Sequence, residues 1–405
     1  MRMPWSYSWN VVGLTLVFQA ITIGTLIYCF SLFVVPWQEA FDISRGRVMI
    51  AITVLQLGVG ALSPFAGRAM DAFSMRGLVI GGGVALAAGL LLASMATAMW
   101  QIIMLYALLL PIGMALTGPL AAQTLVTRWF QEKRGMALGI SAIGTSIGGF
   151  GLPFLTSFLI DTTGWRNALQ ILALVAVIVI IPLSAWILRR RPPNPEPMSG
   201  GTASQAADLR EWQVPDIVRA PMFWITVGCF LPINLAFGAI QFNLAAYTAD
   251  LGFPTRYGAL LISLSSACMI LGKFAFGAAA DRIDHRYLYC LMAGGMGISL
   301  LMLMGQPGLP MLISAAALMG VSGGGILTLL GVIYGSRFGA TSFGRVMGLA
   351  MLFMTTASFG PLLSGWLHDV TGSYDIAFGL FAACFVPAMI AITRLPAPAV
   401  TTAPR

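Results

Sequence analysis

Lys273 is the one Lys or Arg that falls deep inside any of the chain's long apolar stretches, and no Asp or Glu shares its stretch. A charge at membrane depth costs at least about 2.5 kcal/mol on insertion scales, so a chain that carries one has a use for it. A lysine ammonium is a compact charge with three donors, and its natural counterpart is an anion. With no acid in its own stretch, that anion is expected to be a ligand. Snorkelling explains the residue poorly: Lys273 stands eight residues before Asp281, about 12 Å of helix rise, and a lysine stem covers roughly half of that. Desolvation disfavours a charged lysine and a carboxylate favours it, so anion binding and proton uptake are expected to be linked here.

Enzymatic chemistry lacks its groups. Neither His nor acidic residues cluster in the apolar stretches, so no nucleophile–base pair, metal centre or cofactor is expected. His285 and His368 lie at predicted loop or helix-end positions and suggest neither a metal site nor a proton relay. Cys29, Cys229, Cys268, Cys290 and Cys384 are scattered singly without CxxC spacing and read as small core residues.

The elements that must position Lys273 are membrane helices. Of 405 residues, 58% are hydrophobic and 9% charged, against roughly 25% charged in soluble domains. Twelve apolar stretches of spanning length, about 20 residues, divide into six between residues 11 and 188 and six between 222 and 394. The first is too long for a signal-peptide core and is expected to be retained. With the N-terminus inside, 17 of the 22 Lys and Arg fall on the cytoplasmic side, Arg45, Arg47, Arg166 and Arg256 fall outside, and Lys273 lies within the bilayer. This asymmetry obeys the positive-inside rule and predicts cytoplasmic N- and C-termini. It also accounts for a net charge of +8 through anionic lipid, with no nucleic-acid partner.

The halves repeat. Gly67, Asp71 and Arg76 after the second stretch recur as Gly277, Asp281 and Arg286 after the eighth, and the DTTGW at Asp161 is echoed by DVTGSY at Asp369. Duplicated six-helix halves predict a pseudo-symmetric carrier with its site at the midplane. The expected division is an N-terminal bundle over 1–188, a cytoplasmic linker over 189–219, a C-terminal bundle over 220–395 and a cytoplasmic tail over 396–405. The linker is Pro-, Gly- and Ser-rich to about Ser204; Leu209, Trp212, Ile217 and Val218 suggest a short interfacial helix after it.

The paired GxxxD loops, the RWFQEKRGMALGI run from Arg128 to Ile140 and the Gly-rich fifth and eleventh stretches resemble the major facilitator superfamily over nearly the whole chain. FSLFVVPWQEAFDISRGR from Phe30 to Arg47, and RAPMFW from Arg219 to Trp224, resemble its monocarboxylate transporter and oxalate:formate antiporter branch. The resemblance implies an all-α membrane protein, with twelve transmembrane helices in two pseudo-symmetric six-helix bundles. It implies a secondary active transporter of a small organic anion, a monocarboxylate, working by alternating access with proton symport or anion exchange. That branch often places Arg eight residues before the loop Asp, the place of Lys273, so by resemblance Lys273 binds the substrate carboxylate. Animal members carry an Asp one turn earlier for proton coupling; this chain has Met269.

The superfamily lines its cavity with spans one, four, seven and ten, which makes Tyr28, Gln123, Asn234, Gln241 and Tyr334 candidate substrate-binding residues. The resemblance further implies that the Gly67, Asp71, Arg76 loop and its copy at Gly277, Asp281 and Arg286 are gating elements, a carboxylate near a helix N-terminus gaining up to about 1 kcal/mol. A monomer among membrane lipids, in a bacterial inner membrane, is expected. A drug or cation efflux antiporter is the alternative within transport, suggested by the Gly-rich fifth stretch, but it needs a membrane acid. A non-transporting anion receptor is the alternative from another class.

Overall fold

The computed structural model describes residues 7–130, 134–190, 212–280 and 282–395, leaving aside the side chains of 71, 134, 135, 339–341, 343 and 344. All regular structure among these residues is helical. Without water in the bilayer core, backbone N–H and C=O groups must pair within their own segment, and a helix does this for any apolar sequence. Ten helical stretches are long and apolar enough to cross a membrane. One of them, Met136–Ile187, has 52 residues, about 78 Å at 1.5 Å per residue, more than twice a hydrocarbon core of about 30 Å. It divides at Gly164, where a φ of 84° breaks the helix at little cost to a residue without Cβ. That division, together with His285–Met302, brings the membrane segments among the described residues to twelve.

In chain order, the first segment is α1 (Ser8–Ile23), a π-turn (Gly24–Tyr28) and α2 (Phe30–Phe41). α3 (Arg45–Ala72) and α4 (Met75–Ser94) follow. The fourth segment comes in three pieces, α5 (Met99–Leu108), α6 (Leu110–Thr117) and α7 (Pro119–Trp129). Proline in the first turn of α6 and of α7 removes donors where the preceding helix ends. α8 (Arg134–Ile187) contains segments five and six. After the short α9 (Val214–Arg219) come α10 (Pro221–Asp250), α11 (Thr255–Ala280) and α12 (His285–Met302). α13 (Leu309–Met354) runs through a 3-10 turn into α14 (Phe359–Thr371), and α15 (Asp375–Thr393) ends the bundle.

One compact unit comprises Met1–Pro193, Ala239–Ala267 and Pro361–Tyr374; a second comprises Asn194–Gly238, Cys268–Gly360 and Asp375–Arg405. In the first, α1 and α8 approach so closely that a Cβ on Gly148 would collide with the carbonyl of Ala20. In the second, α10 and the start of α14 do the same, Gly360 lying against the carbonyl of Leu235. Membrane helices gain little from hydrophobicity among apolar lipids, and small residues that let backbones meet supply the van der Waals attraction instead. Large apolar side chains such as Phe158, Trp186, Leu271 and Phe274 remain exposed, the arrangement expected of a lipid-facing surface.

The linker residues 191–211 and the tail 396–405, with Leu209 and Asp281, lie outside the described residues. Beyond the linker, Trp212 is held on α13: its N–H donates to Ser342 Oγ at 2.9 Å, and its ring meets Phe338 at 5.0 Å. Gly148→Ala is expected to lower the unfolding temperature in detergent, overpacking costing about 1–3 kcal/mol. Gly151→Ala, whose Cβ would meet nothing within 4 Å, is expected to leave it unchanged, and thermal unfolding of the two variants side by side checks this.

Candidate functional site

Lys273 sits seven residues before the end of α11, about 10 Å along the axis, and is half-buried. Its backbone is fixed by the crossing of α11 with α13. A Cβ on Gly324 would stand 2.6 Å from the Lys273 nitrogen, and one on Gly272 would strike the carbonyl of Val321. Exposed Leu271 and Phe274 flank the lysine along the chain, while Phe276 and Met269 turn inward. The charge is thus carried at a rigid crossing rather than on a mobile end.

The other substrate candidates separate into two kinds. Tyr28, at the end of the π-turn, is 5% exposed and hydrogen-bonds Ser266 of α11. Gly149 closes over this pair, since a Cβ there would lie 2.8 Å from Tyr28 Cδ1. The wide π-turn is a local irregularity of the kind that clusters at functional positions. Gln241 on α10 is 1% exposed, and both its Nε2 and its Oε1 lack a hydrogen-bond partner among the described residues. An amide buried in that condition forgoes about 1–3 kcal/mol, so a ligand able to donate and accept would be strongly favoured. The remaining three serve helices or face outward. Asn234 donates to the Phe230 carbonyl at 2.8 Å, Tyr334 donates to the Phe223 carbonyl at 3.4 Å while stacking on its ring, and Gln123 is exposed on α7.

Of the repeated loops, Gly67 has open space around it, and the nearest atom to a Cβ on Gly277 is Thr328 Cγ2 at 3.8 Å. Neither glycine is required by close packing. Nearby, Arg128 Nη2 donates to the Met70 carbonyl at 2.8 Å and so holds the end of α3. Arg76 is half-buried in the first turn of α4. Arg286 donates its backbone N–H at 2.9 Å to Asp284, which caps α12.

The densest polar cluster lies elsewhere, where α3 begins and α10 and α14 end, all within the first unit. The Arg45 side chain is 6% exposed and pairs in bidentate fashion with Asp250, Nη2 to Oδ1 at 2.9 Å and Nη1 to Oδ2. Its Nε donates to Gln38 at 3.1 Å and Nη1 to the Tyr374 hydroxyl at 2.9 Å. His368 Nε2 lies 3.3 Å from Asp250 Oδ2 and 3.4 Å from Arg45 Nη1. Ser44, before α3, makes no side-chain cap; Asp369 does so instead, accepting from the N–H groups of Arg45 and Gly46 at 3.0 and 2.7 Å. Burial pushes the Tyr374 hydroxyl above the usual phenol range, so it stays protonated and donates to Asn243 at 3.0 Å. Sequence reasoning placed Arg45 in a loop, passed over Asp250 and set His368 aside. The available signals were the Ser-Arg turn and the DVTGSY echo, neither of which names its partner.

The described residues thus form helices of membrane-spanning length, with Lys273 half-buried where α11 crosses α13 and, in the other unit, a polar cluster where α3 begins and α10 and α14 end. The chain belongs to the Major Facilitator Superfamily, whose family model matches residues 16–270 and 233–405. It is 26% identical to monocarboxylate transporter 13 of Rattus norvegicus, over 96% of this chain and 89% of the relative. It is 25% identical to monocarboxylate transporter 12 of Xenopus laevis, with the same coverage. Among solved structures it is similar to a bacterial homolog of the human lysosomal transporter Spinster, solved in an inward-facing and unoccupied conformation. The TM-score there is 0.67 at 14% identity, covering 98% of this chain and 95% of that one.

Breaking a buried ion pair from one side strands a charge. Asp250→Asn is therefore expected to destabilise the protein by about 3 kcal/mol, the low end of that range because Asp250 is partly exposed. Adding Arg45→Gln to it should cost less than the two single losses combined. Denaturant unfolding of the double-mutant cycle reads this coupling.

Proposed function

We propose that this transporter carries a small organic anion, a monocarboxylate, by alternating access, and that Lys273 meets the substrate carboxylate. The observation that carries the reading is a lysine at membrane depth in a chain whose near full-length relatives are named monocarboxylate transporters. Substrate neutralises the lysine, which lowers the cost of occluding the site and favours exchange between two faces. Tyr28 and Gln241 are the polar groups best suited to orient the rest of the molecule, because one sits at a π-turn and the other has an unspent amide. Asn234, Tyr334 and Gln123 take part less directly in this reading.

The bodies that rock are the bundles 1–188 and 220–395, joined by the linker 189–219. The repeated loops at Gly67, Asp71, Arg76 and at Gly277, Asp281, Arg286 act as gates on the cytoplasmic side. Positive-inside asymmetry supports N- and C-termini in the cytoplasm, with tail 396–405 beside them. The chain works as a monomer among lipids in a plasma membrane, and the bacterial inner membrane is kept as part of this reading although the named relatives come from rat and frog. Coupling is proton symport or anion exchange, which a pH gradient imposed on proteoliposomes separates.

Counterflow of labelled monocarboxylates, competed by mono- and dicarboxylates, tests the reading. Lys273→Gln is expected to cut flux at least tenfold, since a hydrogen bond to a charged group is worth about 1.5–3 kcal/mol. Undiminished flux would remove the lysine from the site; absence of flux with any carboxylate in the wild type would point to efflux of other substrates or to a receptor. Gln241→Leu is expected to raise the unfolding temperature of the substrate-free protein while raising KM about tenfold, because it removes an unpartnered amide that substrate otherwise engages. A variant less stable than wild type, with KM unchanged, counts against that role.

A further inference from the structure

We propose that the groove between α9, the start of α10 and the end of α15 binds an anionic phospholipid of the adjoining leaflet, with Arg219 and Arg394 holding its phosphate. The groove lies wholly within the second unit, and its occupancy does not depend on the transport reading above. Its cavity of about 470 Å³ is lined by Trp212, Asp216, Arg219, Met222, Ile225 and Arg394, among others. That volume is within the range of small-molecule sites, about 300–1,000 Å³. The membrane segment of α10 begins at Pro221 and that of α15 ends at Thr393. Arg219 therefore stands two residues before one span, and Arg394 one residue after another. Both guanidiniums mark the same boundary between hydrocarbon and headgroups, the level at which lipid phosphates reside.

The short α9 is oriented for this level. Val214 and Val218, one turn apart, are exposed, Ile217 is buried, and Asp216 and Arg219 line the groove. A helix with apolar residues turned outward and charges on another side lies along a membrane surface. Both of its ends are held. The Trp224 indole N–H donates to the Val218 carbonyl at 2.7 Å, while before the helix Arg345 Nη1 donates to the Trp212 carbonyl at 3.4 Å. Indole rings favour this depth of the bilayer. Arg345 thus spends a donor on backbone, whereas Arg219 and Arg394 are exposed and make no ion pair among the described residues. Asp216 is the acid in the lining. Two guanidiniums against one carboxylate leave a single positive charge, which one phosphodiester neutralises.

The polar rim continues into an apolar wall, and this selects a lipid over a soluble anion. On α15, Ile390 and Val386 stand one and two turns before Arg394, and both are exposed. On α10, Met222 and Ile225 line the groove within the first two turns after Arg219. A soluble phosphate would use the arginines alone. A phospholipid uses both parts: its phosphate oxygens accept from the planar guanidinium forks, and its acyl chains lie along the apolar residues below. Basic residues at a membrane boundary attract anionic lipid, each strengthening the association about fivefold. A lipid held here bridges α9, α10 and α15, and a ligand that binds only the folded chain stabilises it.

Delipidated full-length protein in a non-ionic detergent, titrated with phosphatidylglycerol or with phosphatidylcholine of the same acyl chains and read by native mass spectrometry, tests this. The wild type is expected to bind its first phosphatidylglycerol about tenfold more tightly than phosphatidylcholine, and to unfold at a higher temperature with it. Arg219→Gln and Arg394→Gln should each weaken that binding about fivefold, and the double variant by more than about tenfold. Arg282→Gln, exposed at the same end of the bundle but outside the groove, should leave it unchanged. Soluble glycerophosphoglycerol should fail to compete. Equal binding of the two lipids by the wild type, or an equal loss in Arg282→Gln, means diffuse attraction and overturns the proposal. Full competition by the soluble headgroup overturns it in favour of a free anion. A double variant that binds phosphatidylglycerol normally but unfolds earlier without lipid overturns it in favour of the chain's own linker as occupant.

Discussion

A guanidinium cannot shed its charge, so burying Arg45 obliges the surrounding chain to answer it. Asp250 supplies the forked acceptor, and that requirement fixes the end of α10. Gln38 and Tyr374 take two further N–H groups, which fixes α2 and the turn between α14 and α15. Asp369 meanwhile replaces the missing cap of α3, where unpaired N–H groups and the helix dipole attract a carboxylate. The positions of Asn243 and Ser364 follow, because Asn243 must accept from Tyr374 and donates in turn to Ser364. Remove the buried charge and Asp250, Gln38 and Tyr374 lose the donor they share, while Asp369 still caps the backbone of α3.

Two kinds of adhesion therefore hold the helices, and they differ in how they can be undone. Where α1 meets α8 and α10 meets α14, backbone lies on backbone through glycine, with no charge involved. Such contacts are insensitive to pH and ligand, and they suit parts that move as bodies. The cluster at Arg45 holds by electrostatics in a site partly open to water, and its strength depends on the charges it contains.

Much of this architecture was legible in the sequence because apolar length and positive-inside bias are properties of single segments. The DTTGW turn separates segments five and six where Gly164 adopts its left-handed φ, and a short helix forms at Val214–Arg219 where the linker turns apolar. Lys273 was visible because a charge in an apolar stretch stands alone in one dimension. The cluster at Arg45 was not, since its members are spread over residues 38 to 374 and each is ordinary at a predicted helix end. Roles of amides were illegible for a related reason: Asn234 and Gln241 share a helix face by spacing, yet one bonds its own helix and the other bonds nothing described. Spacing fixes direction on a helix and leaves the neighbour unspecified.

Duplication accounts for the fold, and departures from it account for the site. Gly164 and Gly372, in the two DxTG turns, both take left-handed φ, 84° and 72°, so the turn is conserved between halves as backbone. Its side chains have diverged: Asp369 caps α3, whereas among the described residues Asp161 makes no corresponding contact. At the offset of 210 that relates Gly67 to Gly277, Lys273 corresponds to Ser63, which merely returns its hydroxyl to the Val59 carbonyl. Asp250 corresponds in the same way to Ala40. Two identical halves could present only identical chemistry to a substrate. Lys273 and Asp250 both sit where one half carries a charge that the other lacks.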